Sequence, residues 1–243
     1  MEKVEIKTID GRANCYAFYP EGEGNWPAII FYMDAFGIRG SLFDMAERLA
    51  LRGYYVLLPD LYYRGGAHSP FNPETAFSEE AERERLMKLM KSVTMSNTFM
   101  DTMAFLEFLS MQKKVKGLKT GCVGYCMGGK FALRAAGNFP GRIASAASIH
   151  GGSLATDGTD SPHLLATNIK AKIYIAVAEI DKGFTNEQKE KLEAALEAAK
   201  VDYTLEVYVA VAHGFAVNDS PVYDVDAAET HWRRLFELFE ETL

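Results

Sequence analysis

Cysteine is scarce in this chain: Cys15, Cys122 and Cys126 are the only three in 243 residues. An odd, sparse count makes no disulfide framework. Three residues separate Cys122 from Cys126, so they form no C-x-x-C redox pair, and a single reactive thiol in a reducing compartment is the better reading. Positive charge is also short. Lys and Arg number 26 against 33 Asp and Glu, a formal net charge of -7, which argues against a nucleic-acid surface and says little about a small-molecule substrate. No apolar run approaches the roughly 18 residues that a transmembrane helix needs, so no membrane association is expected. The opening Met1-Glu2-Lys3-Val4-Glu5 lacks the apolar stretch of a signal peptide, and the expected location is the cytoplasm. Internal repeats and low-complexity tracts are missing, as are a His-Glu-x-x-His zinc motif and a glycine-rich phosphate loop. No metal or cofactor is therefore expected.

What the chain does have is alternation. Val4 to Ile9 and Cys15 to Tyr19 read as an opening hairpin around Asp10-Gly11. From residue 27 onward, continuous apolar runs alternate with segments of helical period. Pro27 to Met33, Tyr54 to Leu58, Lys119 to Tyr125, Arg142 to Ile149, Ala171 to Ala178 and Thr204 to Val209 read as strands. Helices are expected over Ser41 to Leu51, from a Ser78 N-cap to Ser92, and over Ser96 to Gln112, Met127 to Asn138, Glu187 to Lys200 and Asp226 to Leu243. This pattern predicts a single α/β domain over residues 1–243, with a mostly parallel central sheet and helices on both faces. Tyr62 to Phe77, which holds Gly65-Gly66, Pro70 and Pro73, reads as a lid loop rather than a linker.

Ligand sites in such sheets lie beyond the carboxyl ends of the strands. The strongest signal there is Gly124-Tyr125-Cys126-Met127-Gly128-Gly129, a strand-to-helix turn of the form Gly-x-Cys-x-Gly. This is a nucleophile elbow with sulfur in place of a serine oxygen. A sharp turn needs small flanks, and the helix N-terminus beyond Cys126 favours a thiolate. A buried structural cysteine beside packing glycines is the alternative. Cys15 and Cys122 read as strand residues. A nucleophile needs a base and an orienter. Asp181 follows the strand ending at Ala178 and His213 follows the strand ending at Val209, which gives the order nucleophile, acid, histidine of an α/β-hydrolase. Two backbone N–H groups should hold the oxyanion, those of Met127 and of Ala35 in the turn after the first buried strand. Phe36, Tyr62, Tyr63, Arg64 and His150 also stand at strand ends and are pocket candidates.

Gly-Tyr-Cys-Met-Gly-Gly, Pro-Asp-Leu-Tyr at 59–62 and His-Gly-Phe-Ala at 213–216 together resemble the dienelactone hydrolase (carboxymethylenebutenolidase) family over nearly the whole chain. The resemblance implies a Cys-Asp-His triad at Cys126, Asp181 and His213. It also implies an acidic, thiol-activating residue at Asp34, where familiar members carry a longer glutamate; a turn-capping carboxylate is the competing reading. It implies a carboxylate-binding arginine four residues after the histidine, where this chain has Val217, and a second arginine at Arg85 or Arg83, either of which could instead pair with the neighbouring glutamates. The expected activity is hydrolysis of small esters or lactones by a monomer or small homo-oligomer. The alternatives are an esterase or thioesterase for uncharged substrates and a binding protein on the same scaffold.

Overall fold

The structure is a computed structural model and describes residues 1–243. The chain folds into two compact units, residues 1–118 and 119–243.

The first unit opens with β1 (Glu2–Thr8) and β2 (Gly11–Phe18), an antiparallel hairpin with Thr8 opposite Gly11. β3 (Trp26–Tyr32) is followed by α1 (Gly40–Leu51) and β4 (Tyr55–Pro59). The strand order is β1-β2-β4-β3, with β2 antiparallel and β3 parallel to β4. Ile29, Ile30, Phe31 and Tyr32 of β3 are fully buried. This is the continuous apolar run of a strand covered on both faces, and each such side chain contributes roughly 1.5–3 kcal/mol by leaving water. α1 buries Leu42, Met45, Ala46, Leu49 and Ala50, the stripe of a 3.6-residue period, and stops before Gly53 at φ 94°.

α2 (Glu80–Ser92) and α3 (Met95–Met111) complete this unit. Ser78 is not the cap of α2: its hydroxyl donates to Thr75 O, and Glu79 stands at the N-cap without a side-chain bond. α3 does have a side-chain cap, because Thr94 accepts the Asn97 N–H.

β5 (Val115–Tyr125) runs out of the first unit into the second. There follow α4 (Met127–Asn138), β6 (Ile143–Ile149), β7 (Lys172–Ile180), α5 (Asn186–Ala198), β8 (Tyr203–Ala212) and α6 (Val225–Thr242). The order β5-β6-β7-β8 is parallel throughout. α4 is apolar nearly all round and is buried, as such a helix must be. Asp224 caps α6 by accepting the Ala227 N–H, and that helix buries Trp232, Leu235, Phe236 and Phe239.

Strand positions agree with the sequence reading, and ends differ by a few residues. β7 and β8 run on to Ile180 and Ala212, so Asp181 and His213 follow directly upon them. The sequence reading missed a 3-10 segment at Pro162–Asn168, whose apolar period is too short to register.

Candidate active site

Three parallel strands of the second unit end in three polar side chains. β5 is followed by Cys126, which has φ 52° and serves as the N-cap of α4. A residue with a Cβ is strained there. The sharp turn brings the following helix against the strand. A Cβ on Gly124 would run into the Gly128 carbonyl, and one on Gly129 into Ser148 Oγ, so both positions admit only glycine. Gly129 N–H donates to Cys126 O at 3.1 Å and closes the turn. Met127 opens α4, whose first-turn N–H groups precede the carbonyls of the helix ladder.

The three thiols differ. Cys15 and Cys122 are fully buried, and burial pushes their thiols well above the usual range. Cys126 alone is partly accessible.

His213 follows β8, and its N–H donates to Ile180 O at 3.1 Å. Its ring Nδ1 lies 2.7 Å from Asp181 Oδ2. The other carboxylate oxygen of Asp181 accepts the Gly183 N–H at 2.7 Å, so both lobes are held. The Asp181 side chain is 3% exposed and that of His213 31%. Burial disfavours a charged imidazole. The hydrogen bond to Asp181 and the interactions with Cys126 and Asp181 outweigh burial and push His213 up to about 10.

His150 follows β6 and lies beside this pair, with ring centroids of His150 and His213 5.1 Å apart. His231 is buried in α6 with Nε2 3.1 Å from the Tyr125 hydroxyl. Nothing in the spacing of residues 125 and 231 signals that contact.

The other candidates belong to the first unit. Asp34, after β3, accepts the Phe36 N–H at 2.9 Å and forms a two-pronged pair with Arg39, both contacts 2.8 Å. Both side chains are buried. The turn-capping reading thus describes its local bonds, and the pairing with Arg39 carried no sequence signal. Ala35 is buried, and its carbonyl accepts the Tyr62 hydroxyl at 2.7 Å. Phe36 packs edge-on against Phe77 at 5.7 Å, and its carbonyl accepts the Phe71 N–H. The lid loop is thereby tied to the turn after β3.

Arg64 is committed elsewhere. It donates to both oxygens of the buried Asp101 at 2.7 and 2.8 Å and to Asp10 at 2.8 Å. Burial opposes its charge, but the two carboxylates more than compensate and raise it further. Arg85 pairs with Glu82 at 2.6 Å, donates to Ser69 O and lies 3.8 Å over the Phe71 ring. It lines a cavity of about 710 Å³ with His68, Lys88 and Leu89. Val217 is 2% exposed, in a turn where Ser220 N–H donates to its carbonyl.

Comparison with known proteins adds to this geometry. The sequence pattern of the dienelactone hydrolase family matches residues 13–243. A protein of Synechocystis sp., provisionally named carboxymethylenebutenolidase, is 26% identical over 233 residues, 94% of this chain and 91% of its own. One of Methylorubrum extorquens with the same provisional name is 26% identical over 244 residues, 98% of this chain and 80% of its own. The crystal structure of a Klebsiella pneumoniae protein, provisionally named dienelactone hydrolase, superposes with a TM-score of 0.83 at 21% identity, covering 98% of this chain and 97% of that one. At that identity the likeness shows the fold, which is that of the α/β-hydrolases.

Proposed function

The chain belongs to the dienelactone hydrolase family and is a hydrolase of that type; we propose that it cleaves small esters or lactones through Cys126, His213 and Asp181 by way of an acyl-enzyme. The observation that carries this reading is the His213 imidazole, held 2.7 Å from the buried Asp181 carboxylate and raised by its interaction with Cys126, the one partly accessible thiol.

In the proposed cycle His213 takes the Cys126 proton as the sulfur attacks, and Asp181 fixes the tautomer and stabilises the imidazolium. The sulfur attacks the carbonyl carbon. The oxyanion takes a hydrogen bond from the Met127 N–H. As the tetrahedral intermediate collapses, the C–O bond breaks and His213 gives its proton to the leaving oxygen. Water then loses a proton to His213 and attacks the thioester, which releases the acid and the thiol. The family match spans both compact units, which supports one hydrolase domain over the chain. Three free cysteines fit a reducing compartment.

Purified, folded Cys126→Ala tests the reading. It is expected to hydrolyse a chromogenic short-chain ester at background rate and to show no acyl adduct by mass spectrometry. Full activity in that variant rules the reading out.

A second reading narrows the substrate to uncharged esters or thioesters. Two observations favour it: Val217 is a buried apolar side chain at the position of the family arginine, and Arg85 is already paired with Glu82. A two-pronged carboxylate contact from residue 217 is therefore absent. Comparing kcat/KM for an anionic lactone and a neutral ester of similar size separates the two readings.

A further inference from the structure

His150 burdens the fold in two ways. It has φ 38°, so its backbone is strained like that of Cys126, and its N–H is tied to Ala176 O at 2.8 Å. Its side chain is fully buried, yet neither Nδ1 nor Nε2 has a hydrogen-bond partner. Buried polar atoms without partners are costly, and a phenyl ring would fill an apolar site without that burden. The walls of the site are aromatic: Phe215 at 5.4 Å, Tyr125 at 5.9 Å, and the His213 ring at 5.1 Å with an interplanar angle of 61°. A residue that strains the backbone and satisfies none of its own polar atoms calls for a functional explanation.

We infer that His150 is a positioning residue for His213, its neutral and unpartnered imidazole dipole facing the His213 ring and favouring the charged form of that ring. The inference rests on the reading of His213 as the catalytic base. A dipole already bonded to protein groups cannot turn toward a neighbouring charge, whereas one without partners can, through choice of tautomer and ring flip. The ionisable groups around the two rings are few within this unit. Asp181 and Cys126 face His213, and Tyr125 and His213 face His150. His231 lies behind them, bonded to the Tyr125 hydroxyl. Burial first, then the charges of His213 and His231, hold His150 far below the usual histidine range, so it stays neutral while His213 carries the proton.

The test uses His150→Phe, which keeps a ring and removes the dipole, and His150→Gln, which keeps a dipole. NMR titration of the labelled His213 imidazole is the main readout. In His150→Phe the midpoint is expected to fall by about half a pH unit or more, a roughly threefold change in proton affinity. kcat/KM for a neutral ester is expected to fall about tenfold, while the thermal midpoint holds or rises because two unsatisfied nitrogens are gone. His150→Gln should recover most of the titration shift. An unmoved His213 midpoint in His150→Phe overturns the inference, as does activity that falls only in step with thermal stability. Should neither variant fold, the wild-type protein decides: His150 must remain neutral, as a single tautomer, between about pH 5 and 9, and titration within that range overturns the proposal. The titration reads His150 whether or not the protein turns over esters. Failure of the hydrolase reading would appear separately, as full activity in Cys126→Ala.

Discussion

Asp181 divides its carboxylate between two partners, giving one oxygen to His213 Nδ1 and the other to the Gly183 N–H, each at 2.7 Å. The backbone contact fixes the carboxylate plane, and the plane fixes the imidazole. With Nδ1–H committed to Asp181, Nε2 is the nitrogen left to exchange a proton with sulfur. Asp181→Asn keeps the shape but offers an amide donor that selects the wrong tautomer. Its kcat is expected to fall on the order of 10²–10⁴-fold with KM little changed. Steady-state kinetics on a short-chain ester checks this.

The same contact makes stability depend on pH in a set direction. Folding raises His213 from the ordinary histidine value of 6.5 to about 10. The folded state therefore binds the proton more tightly than the unfolded chain. The stabilisation is fully present below about pH 6.5 and is lost as pH rises through about 10. Thermal melts of the wild type and of His213→Gln should differ most at the acid end of that window and converge at its alkaline end. A constant difference across the window would contradict the assignment.

The elbow tolerates no side chain at Gly124, because a Cβ there meets the Gly128 carbonyl. Backbone cannot move aside as a flexible side chain can. Gly124→Ala is expected to destabilise the protein by about 3 kcal/mol or more. Gly141, where a Cβ meets nothing within 4 Å, is the control, and Gly141→Ala should stay within about 0.5 kcal/mol of the wild type. Urea denaturation of the two variants makes the comparison.

Arg64 was a pocket candidate by position, and its bonds make it a brace. Asp101 is buried, with only 2% of its side chain exposed, and Arg64 meets both of its oxygens. Arg64→Met leaves that carboxylate buried with only the Tyr63 hydroxyl bonded to it among these contacts. A loss of about 3 kcal/mol is expected by chemical denaturation. It should shrink in the double variant with Asp101→Leu, which removes the stranded charge.

The alternation of strands and helices is legible in the chain, because apolar periodicity is a local property that burial on one or both faces writes directly into it. The chain also carried the elbow, because a turn this sharp needs small flanks, and it put Cys126, Asp181 and His213 at the ends of strands. How side chains distant in sequence pair emerges from packing. Arg64 found Asp101, Asp34 found Arg39, and Tyr125 found His231, none of them marked by a fixed spacing. Such pairs depend on which rotamers meet once the backbone is packed. Periodicity and motif carry no record of that, and so the sequence named His150 as a pocket candidate, while the fold put it against the ring of His213.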